Sequence, residues 1–193
     1  MKRRHFLPLL ALAPLPTFAV GSLDAAQTRL RSAIDEVLAI ALKAKDRASL
    51  MAKIGVVLDR HISFAVMTRR AVGPGWRQFS PAQQSQAIAS FSKLIIRSYG
   101  NKFTIGEKPQ IDYKSAAATG EGRVDVSTTT TYQGAKYKVV YRLEEAEAWR
   151  TTDVVIEGVS MVANYRSQLD PVFKRGGADA VIKSLETSAA KSE

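Results

Sequence analysis

The chain of 193 residues carries a formal net charge of +10, no cysteine and two histidines. That length suits one domain with a core of its own. The lack of thiols excludes disulfides, a thiol nucleophile and a thiolate metal site. So few histidines leave a zinc centre or a histidine-based catalytic triad poorly supplied.

Residues 1–19 read as an export signal. Lys2-Arg3-Arg4 form the basic start, Phe6 to Leu15 the apolar core, and Thr17-Phe18-Ala19 the small-residue cleavage site. Cleavage falls after Ala19 or a few residues later, near Ala25. Arg3-Arg4 followed by Phe6-Leu7 also fits a twin-arginine signal, so the secretory and twin-arginine routes both stay open. Without a cysteine there is no lipoprotein anchor. The remaining basic residues are scattered, with no long run of like charge and so no nucleic-acid-binding tail.

A first helix is predicted over 23–44, with Ala26, Leu30, Ala33, Ile34, Val37, Leu38 and Ala41 on one stripe. Asp46 or Ser49 opens a second, whose inner positions are Met51, Ile54, Val57, Leu58 and Ile62. Phe64–Val72 is a third, short helix that Gly73-Pro74-Gly75 ends. Ser80 as N-cap, Pro81 as first helical residue and Gln83 three positions on make a capping box. The helix behind it runs to about Tyr99 and carries Ile88, Phe91, Leu94 and Ile95 inward.

From Ile111 the apolar period changes from about 3.6 to 2. Four antiparallel strands follow, at 109–117, 121–132, 136–143 and 149–157, with Gln133-Gly134 as a hairpin turn. Tyr137, Val139, Tyr141 and Leu143 alternate with Lys136, Lys138 and Arg142. Aromatic and basic side chains therefore lie on opposite faces, unlike a platform for single-stranded nucleic acid. In the stretch from Trp149 to Gly177, Val154 and Ile156 face one way and Val155 the other. Gly158 breaks the strand and Ser160 caps a helix bearing Met161, Tyr165, Leu169 and Phe173 on one side. Gly176-Gly177 ends it. A last helix runs from Asp179 to about Thr187, and 188–193 read as a frayed tail. Helices first, sheet second and helices last is an α+β plan: a curved antiparallel sheet wrapped by helices at both ends of a single domain, 20–187.

No catalytic constellation assembles. His61 reads as a surface or cap residue at a helix end. Gly158-Val159-Ser160 lacks the second glycine of a nucleophile elbow. Asp112, Asp125, Asp153 and Glu157 are the carboxylates available to an isomerase-like enzyme on a cone-shaped sheet, which would need one of them buried in an apolar pocket. Asp125, alternating with valines, faces outward.

The run Asp153–Gln168, DVVIEGVSMVANYRSQ, resembles the C-terminal signature of the MlaC-like (toluene-tolerance) family of periplasmic phospholipid-binding proteins. A second similar region is Phe64-Ala65-Val66-Met67, then Gly73, Trp76-Arg77, Pro81 and Gln83. Ser63 stands where that family usually has Asp, and Val72 where it has Leu. The resemblance covers about 25–187. It implies a cystatin-like cone of sheet and helices around an apolar cavity, a phospholipid or hopanoid cargo, no cofactor and no catalysis. It also implies a monomer in the periplasm of a Gram-negative type envelope. There the protein would shuttle lipid between an outer-membrane lipoprotein complex and an inner-membrane ABC-transporter complex, maintaining outer-membrane lipid asymmetry. The cavity lining is expected from Phe64, Met67, Phe91, Leu94, Ile95, Tyr99, Tyr141, Val154, Ile156, Val159, Met161 and Tyr165. Arg97, Arg166, Lys174 and Arg175 are the candidates for headgroup contact or partner docking.

Overall fold

The structure is a computed structural model that describes residues 18–100 and 105–191. Most of the expected export signal, 1–17, lies outside the described residues, as do 192–193 at the end of the expected tail. Helix α1 (Phe18–Lys43) buries Ala26, Leu30, Ala33, Val37, Leu38 and Ala41. Their three- and four-residue spacing makes one face. Asp46 accepts the Ser49 N–H at 2.8 Å and starts α2 (Arg47–His61). The fully buried residue at its start is Leu50, not the expected Met51. Leu50, Ile54 and Val57 pack on Val37 and Ala41 of α1.

Helix α3 spans Phe64–Val72 and stops at Gly73, whose φ of 73° only glycine adopts freely. The chain then makes a 3-10 turn, Gly73–Gln78, and enters α4 (Pro81–Gly100) through the expected capping box. There Gln83 N–H donates to Ser80 Oγ at 3.3 Å, and Ser80 N–H donates to Gln83 Oε1 at 2.9 Å. Gly75 is needed for more than stopping a helix. The Phe173 ring lies where a Cβ would stand, 2.7 Å away. That ring stacks on Phe79, which stacks on Trp76.

The sheet has five strands in sequence order, all antiparallel: β1 (Gln110–Gly120), β2 (Arg123–Tyr132), β3 (Ala135–Glu145), β4 (Trp149–Ile156) and β5 (Val159–Ser160). The sequence predicts four. Gly158 does not simply break the last one. Glu157 and Gly158 both have positive φ, as do Gln133 and Gly134, and positive φ at both central residues is the mark of a two-residue hairpin turn. The chain therefore returns for two residues as β5.

Helix α5 (Met161–Lys191) bends at Gly176-Gly177, where the backbone leaves helical geometry. Its first half runs against α3 and α4, and its second returns beside α4, tied by Gln83 to Asp179 at 2.7 Å and Gln86 to Glu186 at 3.0 Å. The helix continues to Lys191 with Ala189 buried, past the Thr187 limit read from sequence. Buried Val181, Ile182 and Leu185 hold the expected last helix, and Ala189 anchors the start of what the sequence presents as a frayed tail.

The cores are distinct. Helices α3, α4 and α5 share one, around Phe91, Met67 and Leu169. Another joins Ala26 and Leu30 of α1 to Val124, Val126, Leu143 and Trp149 on the inner face of the sheet. The layers are stitched at β4, where Ser63 N–H donates to the Thr151 carbonyl at 2.9 Å.

Candidate functional site

Strand register builds the inner face of the sheet in rows. Val126, Tyr141 and Val154 stand side by side, and Thr128, Val139 and Ile156 form the next row. Period-2 alternation sends Asp125, Arg142 and Asp153 to the outer face. Opposite the inner face, Val154 reaches the helical core, and Tyr165 meets Phe91 edge-on at 5.1 Å between centroids. The result is an apolar seam between sheet and helices.

The expected lining residues separate into three groups along this seam. Phe64, Met67, Phe91, Leu94, Ile95 and Met161 are buried in the helical core. Tyr99, Tyr141, Val154, Ile156 and Tyr165 are half-buried. Val159 does not belong: it is 61% exposed on β5, because the Glu157-Gly158 turn carries it past the edge. Tyr113 on β1 joins the seam unpredicted, packed beside Tyr141 against α1, with the Arg31 guanidinium 3.6 Å from its ring centroid. The alternation of Ile111 and Tyr113 in β1 was its sequence signal.

Burial shifts the titratable groups along the same surface. Burial pushes the Tyr141 phenol up to about 12, with Tyr113 adding to the effect. Burial also raises Tyr99, Tyr113 and Tyr165; Arg31 partly opposes it at Tyr113, and a hydrogen bond with Ser98 does so at Tyr165. These phenols stay neutral at physiological pH. The seam therefore offers methylene-compatible walls and a few neutral hydroxyls, and suits an apolar guest.

The predicted cations do not form one cluster. Arg97 donates to the Ala189 carbonyl at 3.1 Å and so fixes the end of α5. Arg166 lies over the corner at Gly73, where its Nε would meet an added Cβ at 3.1 Å. Lys174 pairs with Asp170 at 2.6 Å. Arg175 is exposed beside the Gly176 bend.

The carboxylates weighed for acid–base chemistry are held elsewhere. Asp153 is 4% exposed on the outer face. Its Oδ1 accepts the N–H groups of Val154 (2.9 Å) and Val162 (3.0 Å), and its Oδ2 accepts from Ser160 (2.6 Å) and Arg142 (3.1 Å). It caps the start of α5 while Ser160 Oγ takes the Ala163 N–H at 3.0 Å. Asp125 lies 3.7 Å from Arg142 on that face; burial raises its carboxyl, Arg142 opposes this and Asp153 adds to it. Asp112 faces Lys114, and Glu157 takes the Lys138 N–H.

His61 is buried, against the surface position expected, with Nε2 at 3.3 Å from Glu36. Two open hollows, of about 350 and 310 Å³, lie at Arg123–Arg142 on the outer face and between Glu107–Pro109 and Thr131–Gln133; neither includes an expected lining residue. Among the described residues no group of three or more His, Asp or Glu side chains could hold a metal ion, and no helix is long and apolar enough to cross a membrane.

The model of the MlaC protein family matches residues 31–187. The chain belongs to the MlaC family. The chain is also similar in structure to a phospholipid-binding protein from Ralstonia solanacearum, solved in complex with a phospholipid. The TM-score is 0.78 and the identity 28%, over 86% of this chain and 98% of that one. A search of curated proteins finds no match. Membership gives the signature its structural meaning. In this MlaC-family chain, Asp153 and Ser160 of the motif latch sheet to helix, Glu157-Gly158 makes the turn between them, and Tyr165 faces the seam.

Proposed function

We propose that the protein is a lipid carrier that holds phospholipid acyl chains in the seam between the inner face of the sheet and the helices. The observation that carries this is the match, along nearly the whole length of the Ralstonia protein, to a fold solved with a phospholipid bound. The half-buried set Tyr99, Tyr113, Tyr141, Val154, Ile156 and Tyr165 supports it. Each methylene moved from water into such a seam contributes roughly 0.8 kcal/mol, so a chain of about fifteen contributes on the order of 12 kcal/mol. The bilayer offers the same gain. Exchange between carrier and membrane is then close to balanced, as transport requires.

On this reading the protein is exported to the periplasm. It moves lipid between an outer-membrane lipoprotein complex and an inner-membrane ABC-transporter complex, maintains outer-membrane lipid asymmetry, works as a monomer and catalyses nothing. Native mass spectrometry of the purified protein, followed by organic extraction, tests the proposal. A phospholipid released at one per protein is expected, whereas a polycyclic lipid such as a hopanoid would redirect the cargo assignment. Protein that arrives empty and takes up no lipid from vesicles would refute it.

A further inference from the structure

One end of the molecule is assembled from segments far apart in sequence. The Gly106 N–H donates to the Ala41 carbonyl at 3.2 Å, which sets residues 105–109 against the end of α1. The Gln133 side-chain amide, at the tip of the β2–β3 hairpin, lies 3.4 Å from Glu107 Oε2. Residues Glu107–Pro109 and Thr131–Gln133 line a common hollow there. Leu42, Ile105 and Tyr137 therefore crown the same end, at 44%, 37% and 42% exposure.

Lys43, Lys45 and Lys108 lie within a few residues of Leu42 and Ile105, Lys136 and Lys138 flank Tyr137 on the other face of β3, and among the described residues none of these makes an ion pair. The acids at this end are engaged: Asp46 caps α2, Glu107 meets Gln133, and Glu157 takes the Lys138 N–H. Tyr137 shares the inner face of β3 with Val139 and Tyr141, and Tyr99 closes α4 just before Gly100.

We infer that this rim is a docking face for an anionic bilayer surface: Leu42, Ile105 and Tyr137 enter the interface while the lysines meet headgroup phosphates. The inference rests on the carrier reading, in which the protein works close to the membranes whose lipid it moves. The chemistry favours a lipid surface over an acidic protein. The unpaired cations here are lysines, which act as mobile point charges, whereas a defined carboxylate partner is better met by the fork of arginine. Isolated exposed apolar side chains among cations are the pattern of interfacial membrane binding.

The test is flotation of the purified full chain with phosphatidylethanolamine–phosphatidylglycerol vesicles and with phosphatidylcholine vesicles, at low and high salt. Lipid content is measured on the same samples by mass spectrometry. The protein is expected to float with the anionic vesicles only and to be released by salt. The pairs Leu42→Ser with Ile105→Ser, and Lys43→Glu with Lys108→Glu, should each lower partitioning about tenfold and leave bound lipid unchanged. Lipid-loaded protein that stays off anionic vesicles overturns the docking face and leaves the carrier reading intact. Protein that floats but never carries lipid supports the face and removes the carrier. Variants that float as well as the parent overturn the assignment of these residues.

Discussion

Replacing Asp153 by alanine should destabilise the fold without touching the seam. The substitution removes the acceptor of the buried Val162 N–H, now 3.0 Å away. An unsatisfied buried donor costs about 1–3 kcal/mol. Loss of a carboxylate at the start of α5 adds about 0.5–1 kcal/mol. Arg142 is half exposed, so losing its partner adds little. Ser160 still caps Ala163. The expected total is about 1.5–4 kcal/mol, and Asp153→Asn, which keeps one oxygen acceptor, should lose roughly half as much. Urea unfolding followed by circular dichroism reads it directly. Thermal unfolding should fall by about 5–15 °C at a chain of this size. A midpoint within about 0.5 kcal/mol of the parent would refute the latch. Unchanged stability together with loss of a measurable turnover in Asp153→Asn would instead revive the carboxylate as a chemical base.

Gly75→Ala places a methyl 2.7 Å from the Phe173 ring and should cost about 1–3 kcal/mol in urea midpoint, because that ring is held in the stack with Phe79 and Trp76. A neutral result would mean that the ring moves freely. Burial, seconded by Arg29, holds His61 below the ordinary imidazole range, with Glu36 opposing and Arg60 adding to the depression. The unfolded chain then takes up the proton first. Stability is full above about pH 6.5 and declines as pH falls through the folded value. His61→Gln should flatten this part of a pH series of urea midpoints, and parallel slopes in the two proteins would show that His61 is not responsible.

The helices and the sheet were legible where a local rule suffices. Ser80-Pro81-Gln83 announces α4 because each cap atom lies within three residues of its partner. Val124 and Val126 announce β2 because burial on one face requires period 2. What escaped depends on distant partners. His61 looks like a cap until Glu36 and Arg29, far back on α1, close over it. Val159 reads as lining until the positive φ of Glu157 turns the strand. Arg97 looks free until the returning half of α5 brings Ala189 to it. The seam itself was readable as a set of apolar positions. The division into buried and half-buried positions was not, since periodicity gives a face and no depth.

The bend at Gly176-Gly177 has a bearing on when the protein can fold. It brings Val181, Ile182, Leu185 and Ala189 into the same core as Phe64 and Met67. A chain emerging from the ribosome cannot complete that core until residue 189 is free, because contacts between distant residues wait on the closure of long loops. The helix that holds Phe64 and Met67 therefore waits, with one apolar face uncovered, for the segment beyond the bend.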